Sequence, residues 1–356
     1  MAVALQSRPD VPNAQASGDI AGNVPEHVRL IQMGVAIWAA RAVYAAAELG
    51  LADQLANGAR SAEELAQATY THAPSLLRLL RALASCGVVT EVTPGRFATT
   101  PLGDALRDGA PGAARATILT IAGSWQWKAW DNFLHALRTG EAGMKAAFGK
   151  DLFDFLGAEP VHSARFNEAM VGMHGAIAPA VIAAYDFSQF ESVVDVGGGK
   201  GALLTAILKA HSKLRGILFD LPETETDARD YLAAAGLSSR CKFEGGDFFK
   251  AIPASHDGYV LAHVLHDWSD NQSIAILRKC RAAIPAHGRL LIVEAVLPEG
   301  DTPHHGKLMD LLMLTVTGGV ERSAAQFADL LRQSGFRLIR IHPTATHQSV
   351  VEAVAV

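Results

Sequence analysis

The chain reads Val193-Val194-Asp195-Val196-Gly197-Gly198-Gly199-Lys200-Gly201 at the point that decides its fold. An apolar run leads directly into a cluster of glycines, and the helical pattern of residues 202–208 follows. This order predicts a buried strand, a tight turn and a helix N-terminus, an arrangement in which α/β proteins hold nucleotide-like ligands. Glycine is needed where the backbone must touch a ligand, because a Cβ would fill the space. The segment therefore predicts an α/β domain with a ligand at this turn.

Acidic residues stand at the ends of three successive predicted strands, at Asp195, Asp220 and Asp247. A dinucleotide site has the spacing G-x-G-x-x-G and places a pyrophosphate on the helix N-terminus. Here Asp195 precedes the glycines, and its carboxylate would repel a pyrophosphate but attract an ammonium or sulfonium group. Asp220 lies about 20 residues past the glycines, where a ribose diol is commonly held. The pattern resembles the S-adenosylmethionine site of class I methyltransferases.

The composition bounds the number of domains and the kind of partner. A chain of 356 residues suits two domains. Hydrophobic residues make up 49%, enough for a large core and a buried subunit interface. The net charge of −5 and the pI of about 6.3 argue against a nucleic-acid partner. The sequence has no run of 18 apolar residues, which argues against a membrane partner.

The cysteines indicate the compartment. Cys86, Cys241 and Cys280 lie far apart with no C-x-x-C spacing. This pattern predicts neither a disulfide framework nor a zinc site, and it favours a reducing, cytoplasmic location.

The first part of the chain predicts a flexible tail and a dimerisation domain. Residues 1–24 are polar and read as the tail, whereas residues 25–107 are helical with a short hairpin near residues 93–97, the pattern of a winged helix. Arg78 and Arg81 could face DNA on such a domain, but solvated arginines on a packing domain are the preferred interpretation. Residues 28–55 are apolar around the whole circumference of the helix, which indicates a partner surface and hence a homodimer.

Residues 108–185 predict a helical linker that contributes to a substrate pocket. Trp125, Phe166 and Met170 belong to a collection of aromatic and methionine side chains in this part. Such side chains suit the walls of a pocket for a flat substrate.

Residues 186–356 alternate between strands and helices, as in a doubly wound, Rossmann-like sheet. The last two predicted strands, residues 336–341 and 349–354, are joined by a short loop. They must be antiparallel, because a parallel crossover needs a dozen residues or more. A mostly parallel sheet that ends in one antiparallel hairpin is typical of methyltransferases and not of dehydrogenases.

Four motifs then make the resemblance specific. The chain resembles the dimeric, metal-independent small-molecule O-methyltransferases of plants and bacteria. It carries their motifs as Asp220-Leu221-Pro222, Gly245-Gly246-Asp247-Phe248, His266-Asp267-Trp268 and Glu321-Arg322-Ser323. The match spans nearly the whole chain, including the front domain.

This resemblance implies residue roles. His266 would be the general base, with Glu294 and Glu321 flanking it, and either carboxylate could fix the imidazole tautomer. Asp267 is expected to be structural or to face the cofactor. The cofactor would be S-adenosylmethionine, converted to S-adenosylhomocysteine, and its expected contacts are Asp195, Gly197, Gly199, Asp220, Leu221, Asp247 and Phe248. Met309 and Met313 would line the pocket. His263 and His266 form too sparse a set for a metal site, so no metal is expected.

The chain departs from the plant members of this family at two places. Ala262 stands where they have a lysine that helps to hold the adenosyl group. Residues 171–174 lack the hydroxyl and acid that many of them show, which leaves His174 without an assigned role.

The predicted activity is methyl transfer to a hydroxyl of a small aromatic, phenolic metabolite. Two alternatives remain open: an N-methyltransferase of an aromatic heterocycle, and a catalytically silent winged-helix sensor. An NAD-dependent oxidoreductase is disfavoured by the terminal hairpin and by Asp195.

Overall fold

The structure is a computed structural model that describes residues 24–356. The predicted tail lies outside the described residues except for position 24. The front part contains five helices and three short strands: α1 (Glu26–Glu48), α2 (Leu51–Gln54), β1 (Arg60–Ser61), α3 (Ala62–Thr69), α4 (Ala73–Ser85), β2 (Val89–Thr93), β3 (Arg96–Thr99) and α5 (Pro101–Asp104).

The front part has the predicted order of helices followed by a wing. Ser61 begins α3 with a capping box, in which its hydroxyl accepts from the Glu64 N–H and the Glu64 carboxylate accepts from the Ser61 N–H. Helix α4 buries one face through Leu76, Leu80 and Leu83. The three strands form a small sheet in the order β1-β3-β2.

The apolar pattern of residues 28–55 predicts one long helix, but the structure has two helices there. Helix α1 ends at Glu48, and Gly50 adopts a left-handed φ of 62° before α2 begins. Glycine reaches this conformation without steric cost, so the chain turns there.

Helix α1 has an unusually apolar surface. Leu30, Ile31, Met33 and Trp38 are all more than half exposed. Among the described residues, α1 is the helix that is long and apolar enough, by length and composition, to cross a membrane. An exposed apolar patch of this kind marks an interaction surface.

Six helices connect the front part to the large sheet: α6 (Ala114–Ile121), α7 (Ser124–Asp131), α8 (Phe133–Thr139), α9 (Gly143–Phe148), α10 (Leu152–Ala158) and α11 (Pro160–Ala184). The predicted boundaries after residues 107 and 185 fall between elements, and as domain boundaries they stay predictions.

The large sheet has the expected topology. Its strands are β4 (Ser192–Val196), β5 (Arg215–Asp220), β6 (Cys241–Gly245), β7 (Gly258–Ala262), β8 (Arg289–Leu297), β9 (Arg322–Ser323), β10 (Phe336–Pro343) and β11 (Gln348–Ala355). The order is β10-β11-β8-β7-β4-β5-β6, with β9 beside β8. β11 runs antiparallel to both of its neighbours, β8 and β10, whereas the other strand pairs of this sheet are parallel. The predicted Rossmann-like sheet with its terminal hairpin is confirmed.

Helices cover both faces of this sheet: α12 (Ala202–Ala210), α13 (Glu225–Ala234), α14 (Asp270–Ala283), α15 (His305–Val316) and α16 (Ala324–Gln333). The central strands are buried on both sides, as β7 and most of β8 show. The carboxyl ends of β4, β5, β6 and β7 therefore meet along one edge, which is where parallel α/β sheets bind ligands.

Candidate active site

The glycine turn between β4 and α12 is shaped by close contacts with neighbouring side chains. A Cβ on Gly198 would clash with the carboxyl group of Asp195, whereas a Cβ on Gly199 would meet open space. Gly199 has a φ of 58°, and its N–H donates to Asp220 Oδ2 over 2.7 Å. The turn is thus tied to the end of β5 and leaves room beside Gly199.

The three predicted acids lie at this edge. Asp195 is 2% exposed, and its Oδ1 has no hydrogen-bond partner among the described residues. Burial and the nearby Asp220 raise the pKa of Asp195 to about 7. Burial also raises the pKa of Asp220, although the N–H groups of Gly199 and Leu221 partly offset it. Asp247 is one-third exposed and accepts from the Phe249 N–H.

These residues fit the cationic cofactor. A buried carboxylate oxygen without a partner is costly unless a donor or a positive charge reaches it. Asp195 could hold the ammonium end of S-adenosylmethionine, and Asp220 could accept from the ribose hydroxyls while it fixes the turn. Leu221 is 46% exposed and adjoins Asp220. The specific contacts stay predictions.

An aromatic wall stands next to the glycine turn. Phe248 approaches to 3.5 Å of the position that a Cβ on Gly197 would take. Phe248 and Phe249 pack edge-on against Trp268, and Phe153 stacks on the same indole. This wall presents apolar surface next to the glycine turn.

The predicted base lies in a 3-10 turn that follows β7. His266 is 7% exposed, and its Nδ1 is 2.7 Å from Glu321 Oε1. On the other side, Nε2 is 4.0 Å from Asp267 Oδ1. Burial by itself would lower the pKa of His266, but Asp267, Glu321 and Glu294 outweigh it and raise the pKa to about 10.

The carboxylates of Glu321 and Glu294 have different hydrogen-bond partners. Glu321 contacts the imidazole, whereas Glu294 Oε1 accepts from the backbone N–H groups of residues 264, 265 and 266 over 2.7–3.2 Å. Glu294 therefore holds the turn that presents His266, and Glu321 fixes the ring. Burial raises the pKa of Glu294 to about 7.

The segment that carries Glu321 is fastened to the His266 turn. Val320 N–H donates to the His266 carbonyl, and a Cβ on Gly319 would overlap that carbonyl. Arg322 is 1% exposed and donates to the carbonyls of Leu265 and Trp268 and to Asp270. These contacts set the position of Glu321 relative to His266.

Sequence reasoning missed several neighbours of the base. Asp267, which was expected to be structural or to face the cofactor, lies close enough to the base to raise its pKa. Asp310 accepts from the Glu321 N–H over 2.8 Å. Arg322 could have been noticed only through its place in the Glu-Arg-Ser motif. Its contacts join residues that are far apart in the sequence, so they became visible only in the tertiary structure.

Two further histidines adjoin the base. His263, the first residue after β7, has a left-handed φ of 53°, and its ring centroid is 5.4 Å from that of His266. His174 on α11 places Nε2 3.0 Å from His263 Nδ1. Burial and the charge on His266 lower the pKa of His174 to about 4, and burial holds the pKa of His263 well below its usual range.

The predicted pocket residues lie on several helices. Trp125 is buried in an apolar cluster with Phe155, and Phe166 packs against that cluster. Met313 is buried on α15, while Met170 and Met309 are half-buried on α11 and α15. Their contact with a substrate stays a prediction.

Comparisons with known proteins identify the family. The O-methyltransferase domain model matches residues 130–337, and the O-methyltransferase dimerisation domain model matches residues 31–108. The chain belongs to the O-methyltransferase family. As a family member it is an S-adenosylmethionine-dependent methyltransferase, and the resemblance read from its motifs is confirmed.

Relatives in this O-methyltransferase family act on different atoms. Phenazine O-methyltransferase PhzM from Lysobacter antibioticus is 47% identical over 333 residues, covering 94% of this chain and 97% of that protein. The 8-amino-8-demethylriboflavin N,N-dimethyltransferase from Streptomyces davaonensis is 36% identical, covering 91% of this chain and 94% of that protein. Family membership therefore establishes methyl transfer but leaves oxygen and nitrogen as possible acceptors.

Solved structures support the fold. The crystal structure of LaPhzM matches with a TM-score of 0.91 and 47% identity, covering 94% of this chain and all of that one. NcsB1, an O-methyltransferase from neocarzinostatin biosynthesis, was crystallised with S-adenosylmethionine and 2-hydroxy-5-methyl naphthoic acid. It matches with a TM-score of 0.78 and 38% identity, covering 89% of this chain and 96% of that one.

Proposed function

We propose that this methyltransferase moves a methyl group to a hydroxyl of a small aromatic metabolite, with His266 as the general base. The contact between His266 Nδ1 and Glu321 Oε1, 2.7 Å long and buried, carries the proposal. A carboxylate on Nδ1 keeps the proton of the neutral imidazole there, which leaves Nε2 free to accept a proton, and it stabilises the imidazolium that forms.

The proton chemistry follows from the acids around the base. S-adenosylmethionine supplies an electrophilic methyl group when it is bound. A phenol has a pKa near 10, so its hydroxyl is a weak nucleophile at pH 7. Because the pKa of His266 is raised to about 10, its neutral imidazole takes a phenolic proton with little free-energy change. The turn held by Glu294 keeps Nε2 in one place during the transfer.

The choice between oxygen and nitrogen is tested with a matched pair of acceptors. The protein is incubated with S-adenosylmethionine and either 2-naphthol or 2-naphthylamine, and products are followed by mass spectrometry. We expect a methyl ether from the naphthol, with this activity lost in His266→Ala. Methylation of the amine alone, undiminished in His266→Ala, would replace the proposal by N-methylation, which the riboflavin relative makes the second candidate.

We expect kcat/KM for a phenolic acceptor to rise with pH through the neutral and alkaline range. A base whose pKa is raised is protonated below that pKa, so the active neutral form grows as pH rises. Glu321→Gln removes one cause of the raised pKa, so the rising limb should move to lower pH while the maximal rate falls. The measurement is a pH profile of kcat/KM for both proteins.

Glu352→Gln is the matched control for this profile. Glu352 accepts from His342 Nε2 over 3.0 Å in the terminal hairpin, so the same substitution removes a histidine–carboxylate pair away from the turn. The assignment of His266 would be contradicted if the rising part of the kcat/KM profile did not move in Glu321→Gln. It would also be contradicted if that part of the profile moved by the same amount in Glu352→Gln.

The proposal includes a homodimer formed through α1. The dimerisation domain match covers residues 31–108, and the exposed apolar side chains of α1 lie largely within it. All three cysteines are free thiols, and the proposed location is cytoplasmic.

We expect Trp38→Asp to raise the dissociation constant of the dimer at least about 100-fold, because a carboxylate at the interface loses its hydration when the dimer forms. Sedimentation velocity across a concentration series measures the change. Ile339→Asp, at a 44% exposed position on β10, is the control and should stay dimeric. Equal dissociation in both variants, or a wild-type protein that is monomeric at micromolar concentration, would contradict the interface.

A further inference from the structure

The two histidines beside the base have no part in the proton transfer described above. His263 Nδ1 is paired with His174 Nε2, whereas His263 Nε2 is buried and without a partner among the described residues. A buried ring nitrogen that lacks a partner is unfavourable unless something reaches it. The backbone of His263 also has a left-handed φ, which only a few per cent of residues other than glycine adopt, histidine being among those enriched there. Strain and an unpaired polar atom at one residue are features of binding sites.

The position of His263 places its ring beside that of the proposed base. The residue follows β7 directly, and its N–H still donates to the Val293 carbonyl on β8. Its ring lies 5.4 Å from that of His266, at an angle of 49°. His174 reaches it from α11, the helix that also carries Phe166 and Met170. The pair thus joins the base to a wall of the predicted pocket.

We propose that His263, held by His174, hydrogen-bonds an uncharged polar substituent on the aromatic ring position next to the hydroxyl that is methylated. This inference rests on the proposed function and names the substrate class: aromatic compounds with a second hydroxyl, a carbonyl oxygen or a ring nitrogen beside the reacting hydroxyl.

The charges around the pair select an uncharged group. The two imidazoles are neutral at pH 7, and a neutral imidazole can donate or accept through Nε2 according to the tautomer that His174 enforces. Two buried acids, Glu294 and Glu321, and the partly buried Asp267 surround the neighbouring His266. The imidazolium of His266 is already paired with Glu321, so a carboxylate substituent would meet no unpaired cation among these acids and is disfavoured.

The test uses three naphthols that differ only at the position next to the reacting hydroxyl. These are 2,3-dihydroxynaphthalene, 2-naphthol and 3-hydroxy-2-naphthoate. We expect the dihydroxy compound to have a kcat/KM roughly tenfold or more above that of 2-naphthol, and the acid to be the poorest acceptor.

Three variants distinguish the effect of the His263 hydrogen bond from the effect of its aromatic ring. His263→Phe keeps an aromatic ring and should remove the preference. His263→Asn tolerates the positive φ and keeps a polar group, so it should restore part of the preference. His287→Phe, at an exposed position bonded to Asp257, is the control and should retain the preference. The inference would be overturned if the wild-type protein showed no preference between the naphthols. It would also be overturned if His263→Phe lowered kcat/KM by the same factor for 2-naphthol and for the dihydroxy compound.

Binding of the naphthols to the S-adenosylhomocysteine-loaded protein is measured by calorimetry, so that failure of this inference can be distinguished from failure of the proposed function. If no naphthol is methylated but the dihydroxy compound still binds more tightly in a His263-dependent way, O-methylation fails and the inference stands. If the naphthols are methylated but bind and react without preference, the inference fails and the proposed function stands.

Discussion

We expect His266→Ala to lower kcat for a phenolic acceptor about 10²- to 10⁴-fold, the usual contribution of a general base. The imidazole is buried at the turn and held by a carboxylate at 2.7 Å, and its raised pKa lies close to that of a phenol, so its neutral form can take the phenolic proton. The remaining rate comes from holding acceptor and methyl donor in line, which the substitution leaves in place.

The measurement compares kcat and cofactor affinity in the same variant. S-adenosylmethionine affinity by calorimetry should change little, because the glycine turn and its acids do not involve His266. His287→Ala, at an exposed histidine, is the control. A variant that keeps most of its kcat for phenols would remove the general-base assignment, whereas a loss of cofactor binding would point to collapse of the turn.

Asp220→Ala should weaken the binding of S-adenosylmethionine and S-adenosylhomocysteine about 100-fold. The Asp220 carboxylate accepts from the Gly199 and Leu221 N–H groups, so its loss frees the glycine turn. The proposed hydrogen bonds to the ribose are lost as well, and each bond to a charged group contributes about 1.5–3 kcal/mol. Both ligands should be affected alike, because they share the ribose.

Calorimetric titration of both ligands checks this expectation, with NAD as a ligand that should not bind. Asp230→Ala removes an exposed acid from α13 and should leave the affinity unchanged. Unaltered affinity in Asp220→Ala, in a variant with a wild-type melting temperature, would show that the ribose is held elsewhere.

The strands, the glycine turn and the terminal hairpin were predictable from local patterns. Apolar runs such as residues 193–196 form strands that are buried on both faces, and a loop too short for a crossover forces an antiparallel pair. The division of labour between Glu294 and Glu321 was not predictable, because both are single acids after apolar segments. The structure separates them: Glu294 meets three backbone N–H groups, and Glu321 meets the imidazole.

The sequence by itself determined the fold class, the family and the edge of the sheet where the acids gather, because strand order and glycine turns follow from short-range patterns. Only the tertiary structure decided which groups touch. His266 meets Glu321 across 55 residues of chain, and His263 meets His174 across 89. Such contacts depend on the register of β7 against β8 and on how α11 and the Glu321 segment pack against that edge. Side-chain partners at these separations are set by packing between elements, which no local pattern encodes.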